Sequence, residues 1–159
     1  MPEAAAGEPV DQPVDQPVDE ARLELSAPAT PAMLDLVHSV LEKLWEQHDD
    51  VGAEDRIRFE TAVIEVLGNI VEHAYELDAA PTDVLRRFDV SLSATDDELV
   101  ARFGDNGVPM AIDLSEVAMP GEDAESGRGL ALAVAALDDL SYERVDGRNL
   151  WRLTCRRRG

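Results

Sequence analysis

The amino-acid sequence predicts an α+β fold, a two-layer sandwich in which helices cover one face of a mixed, mostly antiparallel sheet. Two long stretches of helical apolar periodicity come first, and short period-two stretches follow in pairs joined by turn signals. The resulting order, β-α-α-β-β-loop-α-β-β, groups strands with antiparallel neighbours and argues against a doubly wound parallel sheet.

Each element has its own justification. Arg22-Leu-Glu-Leu-Ser alternates as an edge strand does. Thr30 before Pro31 suits an N-cap followed by the first helical position. Met33, Leu36, Val37, Val40, Leu41, Leu44 and Trp45 then recur at spacings of three and four and mark a first amphipathic helix. A polar break from Gln47 to Gly52 precedes a second helix, from about Glu54 to Glu76. Its apolar stripe is Phe59, Ala62, Val63, Val66, Leu67, Ile70, Val71 and Ala74.

After Pro81 the period becomes two. Phe88 to Ala94 and Leu99 to Gly104 read as an antiparallel pair turned by Thr95-Asp-Asp-Glu. A long stretch from Asn106 to Gly129 has no sustained periodicity, and loops of that length inside a compact domain are usually functional lids or disordered. A short helix from Leu130 to about Leu137 follows. Two last strands, Leu140 to Arg144 and Leu150 to Cys155, flank Asp146-Gly147, a strong hairpin signal.

Composition bounds the function. The chain has 159 residues, 14 Lys and Arg against 34 Asp and Glu, and a formal charge of −20. A direct nucleic-acid binder is excluded, because phosphate affinity needs clustered Lys and Arg. Adsorption to an anionic membrane is disfavoured for want of a polybasic segment. Residues 1–20 contribute −6 of the charge through Glu3, Glu8, Asp11, Asp15, Asp19 and Glu20, with no Lys or Arg. Within them, Pro9-Val-Asp-Gln, Pro13-Val-Asp-Gln and Pro17-Val-Asp-Glu form a four-residue repeat too poor in apolar residues to bury anything. Residues 1–21 are therefore expected to be a disordered acidic tail, and residues 22–159 one domain. A polyproline II docking peptide is the alternative for the tail.

Aromatics are only 4% of the chain, so the core must be aliphatic, with Trp45 and Trp151 as packing residues. A lone Cys155 in an alternating strand, no signal-peptide pattern and no apolar span predict a cytoplasmic protein with no membrane contact. His38, His48 and His73 lack a metal-ligand spacing, and Arg156-Arg-Arg158 reads as a solvated end.

Three features carry chemistry. On the second helix Glu65 and Asn69 are spaced i,i+4, with Glu72 near the same line and His73 one step round. This is either a solvated face or a carboxylate base beside a metal-positioning amide. Asp105-Asn-Gly107 directly follows a strand and, alone, is also a simple turn. Gly127-Arg-Gly129 ends the long loop and opens a helix, an entry whose backbone N–H groups can face phosphate.

Taken together and in this order, Glu65-Val-Leu-Gly-Asn69-Ile-Val-Glu-His73-Ala-Tyr75, Asp105-Asn-Gly107 and Gly127-Arg-Gly129 resemble the N, G1 and G2 boxes of the GHKL, or histidine-kinase-like, ATPase superfamily. Within it the chain is most similar to the anti-sigma factor serine kinases, over about residues 22 to 157. The resemblance implies a histidine-kinase-like ATPase fold, ATP and Mg²⁺ as cofactors, and Glu65 as the general base. Asn69 would help hold Mg²⁺, and His73 would lie by the nucleotide. Asp105 would accept from the adenine amino group, with Gly107 leaving room beside the ring. Gly127 and Gly129 would let the lid backbone approach the phosphates, and Arg128 is a phosphate-contact candidate.

The implied partners are a sigma factor, which the protein sequesters, and a small anti-sigma factor antagonist carrying the acceptor Ser. A homodimer is expected from the family. Some relatives carry an Arg before the Ser-Gly of the last box, where this chain has Glu125, which leaves the transition-state cation unassigned. The alternative is a non-catalytic nucleotide-sensing module of the same fold. A histidine kinase catalytic domain fits poorly, since no long dimerisation hairpin with an acceptor His precedes the first helix.

Overall fold

The computed structural model describes residues 22–76, 86–110, 114 and 128–159, without the side chains of 74–76 and 128. The expected disordered tail, residues 1–21, and most of the expected lid lie outside the described residues. Among the described residues the order is β1 (Leu23–Pro28), α1 (Met33–Gln47), α2 (Ala53–Glu76), β2 (Arg87–Ala94), β3 (Glu98–Asp105), α3 (Arg128–Ala136), β4 (Asp139–Val145) and β5 (Arg148–Arg156).

The strands form one sheet in the order β1-β2-β3-β5-β4. Among the described residues every pairing is antiparallel, in keeping with the expected mostly antiparallel sheet. The reason lies in the connection through α3, which carries the chain past the place beside β3 to the outer edge. The β4–β5 hairpin then returns β5 into the gap, antiparallel to both neighbours. Its turn is set by Asp146 and Gly147, both left-handed at φ 49° and 78°, as a tight two-residue hairpin turn requires.

Strand alternation gives the sheet two unlike faces. Phe88, Val90, Leu92, Leu99, Ala101, Phe103, Trp151, Leu153 and Cys155 are at most 2% exposed and pack against the helices. On the other side Asp89, Arg102, Arg148 and Arg152 are exposed. The α2 stripe meets the sheet as its periodicity demands, with Phe59, Ala62, Val63, Val66 and Leu67 at 0% exposure. Each large apolar side chain buried this way stabilises the fold by roughly 1.5–3 kcal/mol. Trp45 packs edge-on to Phe59, with centroids 6.1 Å apart, and donates its indole N–H to Glu60.

Two local expectations are revised. Thr30 does not cap α1 through its side chain. Its carbonyl accepts from Met33 N at 3.0 Å, closing a turn around Pro31 and Ala32, and the helix starts two residues later than expected, at Met33. The C-terminal arginines are not a merely solvated end. Arg157 bonds the Asp50 carboxylate and the Thr95 carbonyl, each at 2.8 Å, and Arg158 N donates to buried Asp55 at 2.9 Å. The acidic residues at the start of α2 attract this end of the chain. Asp55 also pairs with Arg58 at 3.0 Å, and Arg58 reaches Asp138 at 3.2 Å.

Candidate active site

The α2 periodicity that buries the apolar stripe also fixes which polar side chains stand beside it. Glu65, Asn69 and His73 are spaced i,i+4,i+8 and stay half-buried along one line, whereas Glu72 turns out to solvent. The polar line of the site therefore ends in His73 and not in Glu72. Asn69 Nδ2 and His73 Nε2 are buried without a hydrogen-bond partner among the described residues. Buried polar atoms are nearly always paired in folded proteins, so two orphans one turn apart mark a place where a polar ligand or water belongs.

Asp105 closes β3 and lies across the pocket from His73. It is 4% exposed, and its two oxygens have different fates. Oδ1 accepts from Gly107 N at 2.8 Å and from Asn149 Nδ2 at 2.9 Å. Oδ2 is buried and has no partner among the described residues. The carboxylate thus offers one committed oxygen and one waiting oxygen, as an acceptor for an amino group should. The Asx turn explains Gly107, because a Cβ there would meet Asp105 Oδ1 at 2.8 Å.

Sequence reasoning missed the support behind Asp105. Asn149, on β5 directly opposite Asp105, is fully buried and also donates to Val108 O at 2.9 Å. Its Oδ1 accepts from the Tyr142 hydroxyl and from Arg144 Nη1. Tyr142 in turn accepts from Met110 N at 3.0 Å, and Arg144 donates to Gly107 O. The signal available was an Asn at an inward position of an alternating strand. It could not be tied to Asp105 without the β3–β5 register.

Ala29, Ile70, His73, Arg86, Arg87, Asp105, Asn106, Gly107 and Met110 line the pocket. Its enclosed volume is about 10 Å³, room for about one water beside Asp105, so its walls must give before a flat ring can enter. Arg86 is held at the rim by a 2.7 Å bond to Asn106 O.

At the other end of the polar line, Glu65 meets α3. A Cβ at Gly129 would lie 2.2 Å from Glu65 Oε2, so glycine lets the first turn of α3 approach this carboxylate without displacing the end of its side chain. That first turn contains no acidic residue to oppose an anion at its N-terminal end. The helix begins at Arg128, two residues before the expected Leu130. Gly127 and the Arg128 side chain lie outside what the structure describes.

Glu65, Asn69, His73, Asp105, Gly107 and Gly129 are therefore brought to one side of the sandwich, between α2, the end of β3 and the start of α3. The orphaned atoms of Asn69, His73 and Asp105, and the two glycine approaches, fit a nucleotide. Among the described residues no group of three His, Cys, Asp or Glu side chains converges on a metal site. A divalent ion here would have to share its shell with phosphate and water, the usual habit of Mg²⁺.

An α+β sandwich with this pocket at the edge of its helical layer defines a small-ligand domain with a polar floor. The family model of the histidine kinase-like ATPase domain matches residues 27–155. The chain belongs to that family, whose ligand is ATP. The crystal structure of the RsbU and RsbW domains of Rv1364c from Mycobacterium tuberculosis superposes with a TM-score of 0.58 at 21% identity. The match covers 86% of this chain and 32% of that one, so this chain spans about a third of that chain's length, and at this identity the likeness is one of fold. No curated protein matches the chain. No helix among the described residues is long and apolar enough to cross a membrane.

Proposed function

We propose that the chain is an ATP-dependent protein serine kinase of the anti-sigma factor type. In this reading it phosphorylates a small antagonist on Ser and sequesters a sigma factor in the cytoplasm, exchanging one partner for the other. One observation carries the catalytic part: Glu65, four residues before orphaned Asn69, stands against the Gly129 backbone at the start of α3. The similarity of the three boxes to the anti-sigma factor serine kinases supplies the rest, and the RsbW domain named in the structural match is consistent with it.

The chemistry divides among named groups. ATP with Mg²⁺ supplies the phosphoryl group and neutralises its charge. Asp105 Oδ2 takes the hydrogen bond of the adenine amino group. Asn69 would help hold Mg²⁺ against the triphosphate through its amide oxygen, and the N–H groups of the first turn of α3 would hold the phosphate end. Glu65 accepts the proton of the incoming serine hydroxyl as its oxygen bonds to the γ-phosphorus and ADP departs with the electrons of the broken P–O bond. Positioning and charge neutralisation account for most phosphoryl-transfer catalysis, so a single carboxylate suffices as base.

Residues 22–159 carry −14 of the formal charge, which suits an encounter with the basic DNA-binding surface of a sigma factor. Glu125, where some relatives have Arg, favours a second reading in which the pocket senses nucleotide without catalysis. Two assays separate them. Capture from native lysate with and without ADP should recover a sigma factor and a small Ser-bearing protein, and radiolabelled ATP should phosphorylate the latter. Nucleotide-dependent capture without phosphoryl transfer would leave only the sensor, and recovery of neither partner would remove the regulatory reading.

A further inference from the structure

Four backbone groups of the irregular segment that follows β3 are bonded to side chains instead of to a ladder. Gly107 N donates to Asp105 Oδ1 at 2.8 Å, and Gly107 O accepts from Arg144 Nη1 at 2.6 Å. Val108 O accepts from Asn149 Nδ2 at 2.9 Å, and Met110 N donates to the Tyr142 hydroxyl at 3.0 Å. Gly107 and Met110 line the pocket beside Asp105, so these bonds hold one of its walls. Asp105, Asn149 and Arg144 are direct partners across β3, β5 and β4, and they stand in one row on the helix side of the sheet.

We propose that Arg144 and Tyr142 are positioning residues for the base of the nucleotide, setting through Asn149 which oxygen of Asp105 is left to bind it. The proposal rests on the reading of Asp105 Oδ2 as the adenine acceptor. Donor and acceptor chemistry fixes the direction of every bond in the row. A guanidinium has only donors, so Arg144 Nη1, 3.0 Å away, requires Asn149 to present its oxygen. The Tyr142 hydroxyl uses a lone pair for Met110 N, and its single proton goes to the same oxygen. With that oxygen doubly occupied, the Asn149 amide turns its NH₂ to Asp105 Oδ1, 2.9 Å away, and to Val108 O. A positive donor on one side of an amide polarises it and strengthens its donation from the other, more so where water is excluded. Asn149 is fully buried and Arg144 is exposed, so the charge sits at the rim and its effect is delivered inside. Asp105 Oδ1 thus receives both Asn149 and Gly107, and Oδ2 is left without a partner among the described residues. Neither Arg144 nor Tyr142 is among the described residues that line the pocket, so both act through Asn149.

Titration calorimetry on the full chain with ADP and with inosine diphosphate tests this. Inosine carries a carbonyl where adenine carries its amino group, and offers Asp105 Oδ2 no proton to accept. The wild type should prefer ADP. Tyr142→Phe removes one donor to Asn149 and the acceptor of Met110 N, and Arg144→Met removes the charged donor from an exposed position. Each should lower the affinity for ADP roughly 3- to 10-fold, the worth of one hydrogen bond, and leave that for inosine diphosphate nearly unchanged, so that the preference narrows by the same factor. General loosening of the fold would weaken both nucleotides together and keep the preference. A preference at its wild-type value in either variant would therefore overturn the proposal, whatever happens to the affinities themselves. Equal wild-type affinity for the two nucleotides would overturn the adenine role of Asp105, and the proposal with it.

Discussion

Asn149 Nδ2 donates to Asp105 Oδ1 at 2.9 Å across the β3–β5 ladder and leaves Asp105 Oδ2 buried without a partner among the described residues. The bond fixes which oxygen faces the pocket. Replacing Asn149 by Leu removes one of the two donors to Oδ1 and leaves the carboxylate held by Gly107 N alone, with an expected loss of about 1–3 kcal/mol in stability. Urea unfolding measures that loss. ATP affinity should fall as well, because Asp105 is then held less firmly in place.

Gly129→Ala tests the close approach of α3 to Glu65. The added Cβ would lie 2.2 Å from Glu65 Oε2, so either the carboxylate or the helix start must shift. Phosphoryl transfer should fall by roughly tenfold or more, since small misplacements of reacting groups are costly. Adenine recognition at Asp105, on the far side of the pocket, should hold, and a titration with ADP can check it.

Glu65→Gln keeps the shape of the side chain and removes the base. The expected loss in phosphorylation rate is roughly 10² to 10⁴, with nucleotide affinity nearly unchanged. An unchanged rate would take the base role from Glu65.

Asp138 gives a pH signature. The Arg156 backbone N–H, 2.6 Å from its Oδ2, and then the Arg58 guanidinium hold its carboxyl below the usual carboxylate range. A value lowered in the folded state means stabilisation present above the ordinary carboxylate pKa of about 3.9 and lost as pH falls through the folded value. Asp138→Asn should therefore destabilise by about 1 kcal/mol at pH 7, a modest figure because the group is partly exposed. The difference from wild type should shrink in strong acid, as urea midpoints at both pH values would show.

Cys155 lies at the inward end of β5, and burial pushes its thiol pKa up. A thiol reagent at pH 8 should react with the native protein far more slowly than with protein unfolded in guanidinium.

Periodicity made most of this fold legible. The α2 stripe from Phe59 to Val71 and the inward positions of β2, β3 and β5 are buried as their spacing requires. The antiparallel place of β5 between β3 and β4 was not legible, because strand order depends on packing between distant segments. The same gap hid Asn149, whose role exists only through its register with Asp105. Arg157 was misread for a related reason, since its partners Asp50 and Thr95 are far away in sequence. Within the candidate site, Glu65, Asn69, His73, Asp105, Gly107 and Gly129 could be named as candidates because each belongs to a local motif. That His73 is half-buried while Glu72 faces solvent turns on one step of helix rotation.

The central claim is that ATP binds with Asp105 Oδ2 as the acceptor for its base. Isothermal titration of ATP with Mg²⁺ into wild-type protein and into Asp105→Asn tests it most directly. Wild type should bind, and the substitution should weaken binding roughly 10- to 100-fold, the worth of one charge-assisted hydrogen bond in a buried site. No heat of binding in the wild type, or equal affinity in the two proteins, would contradict it.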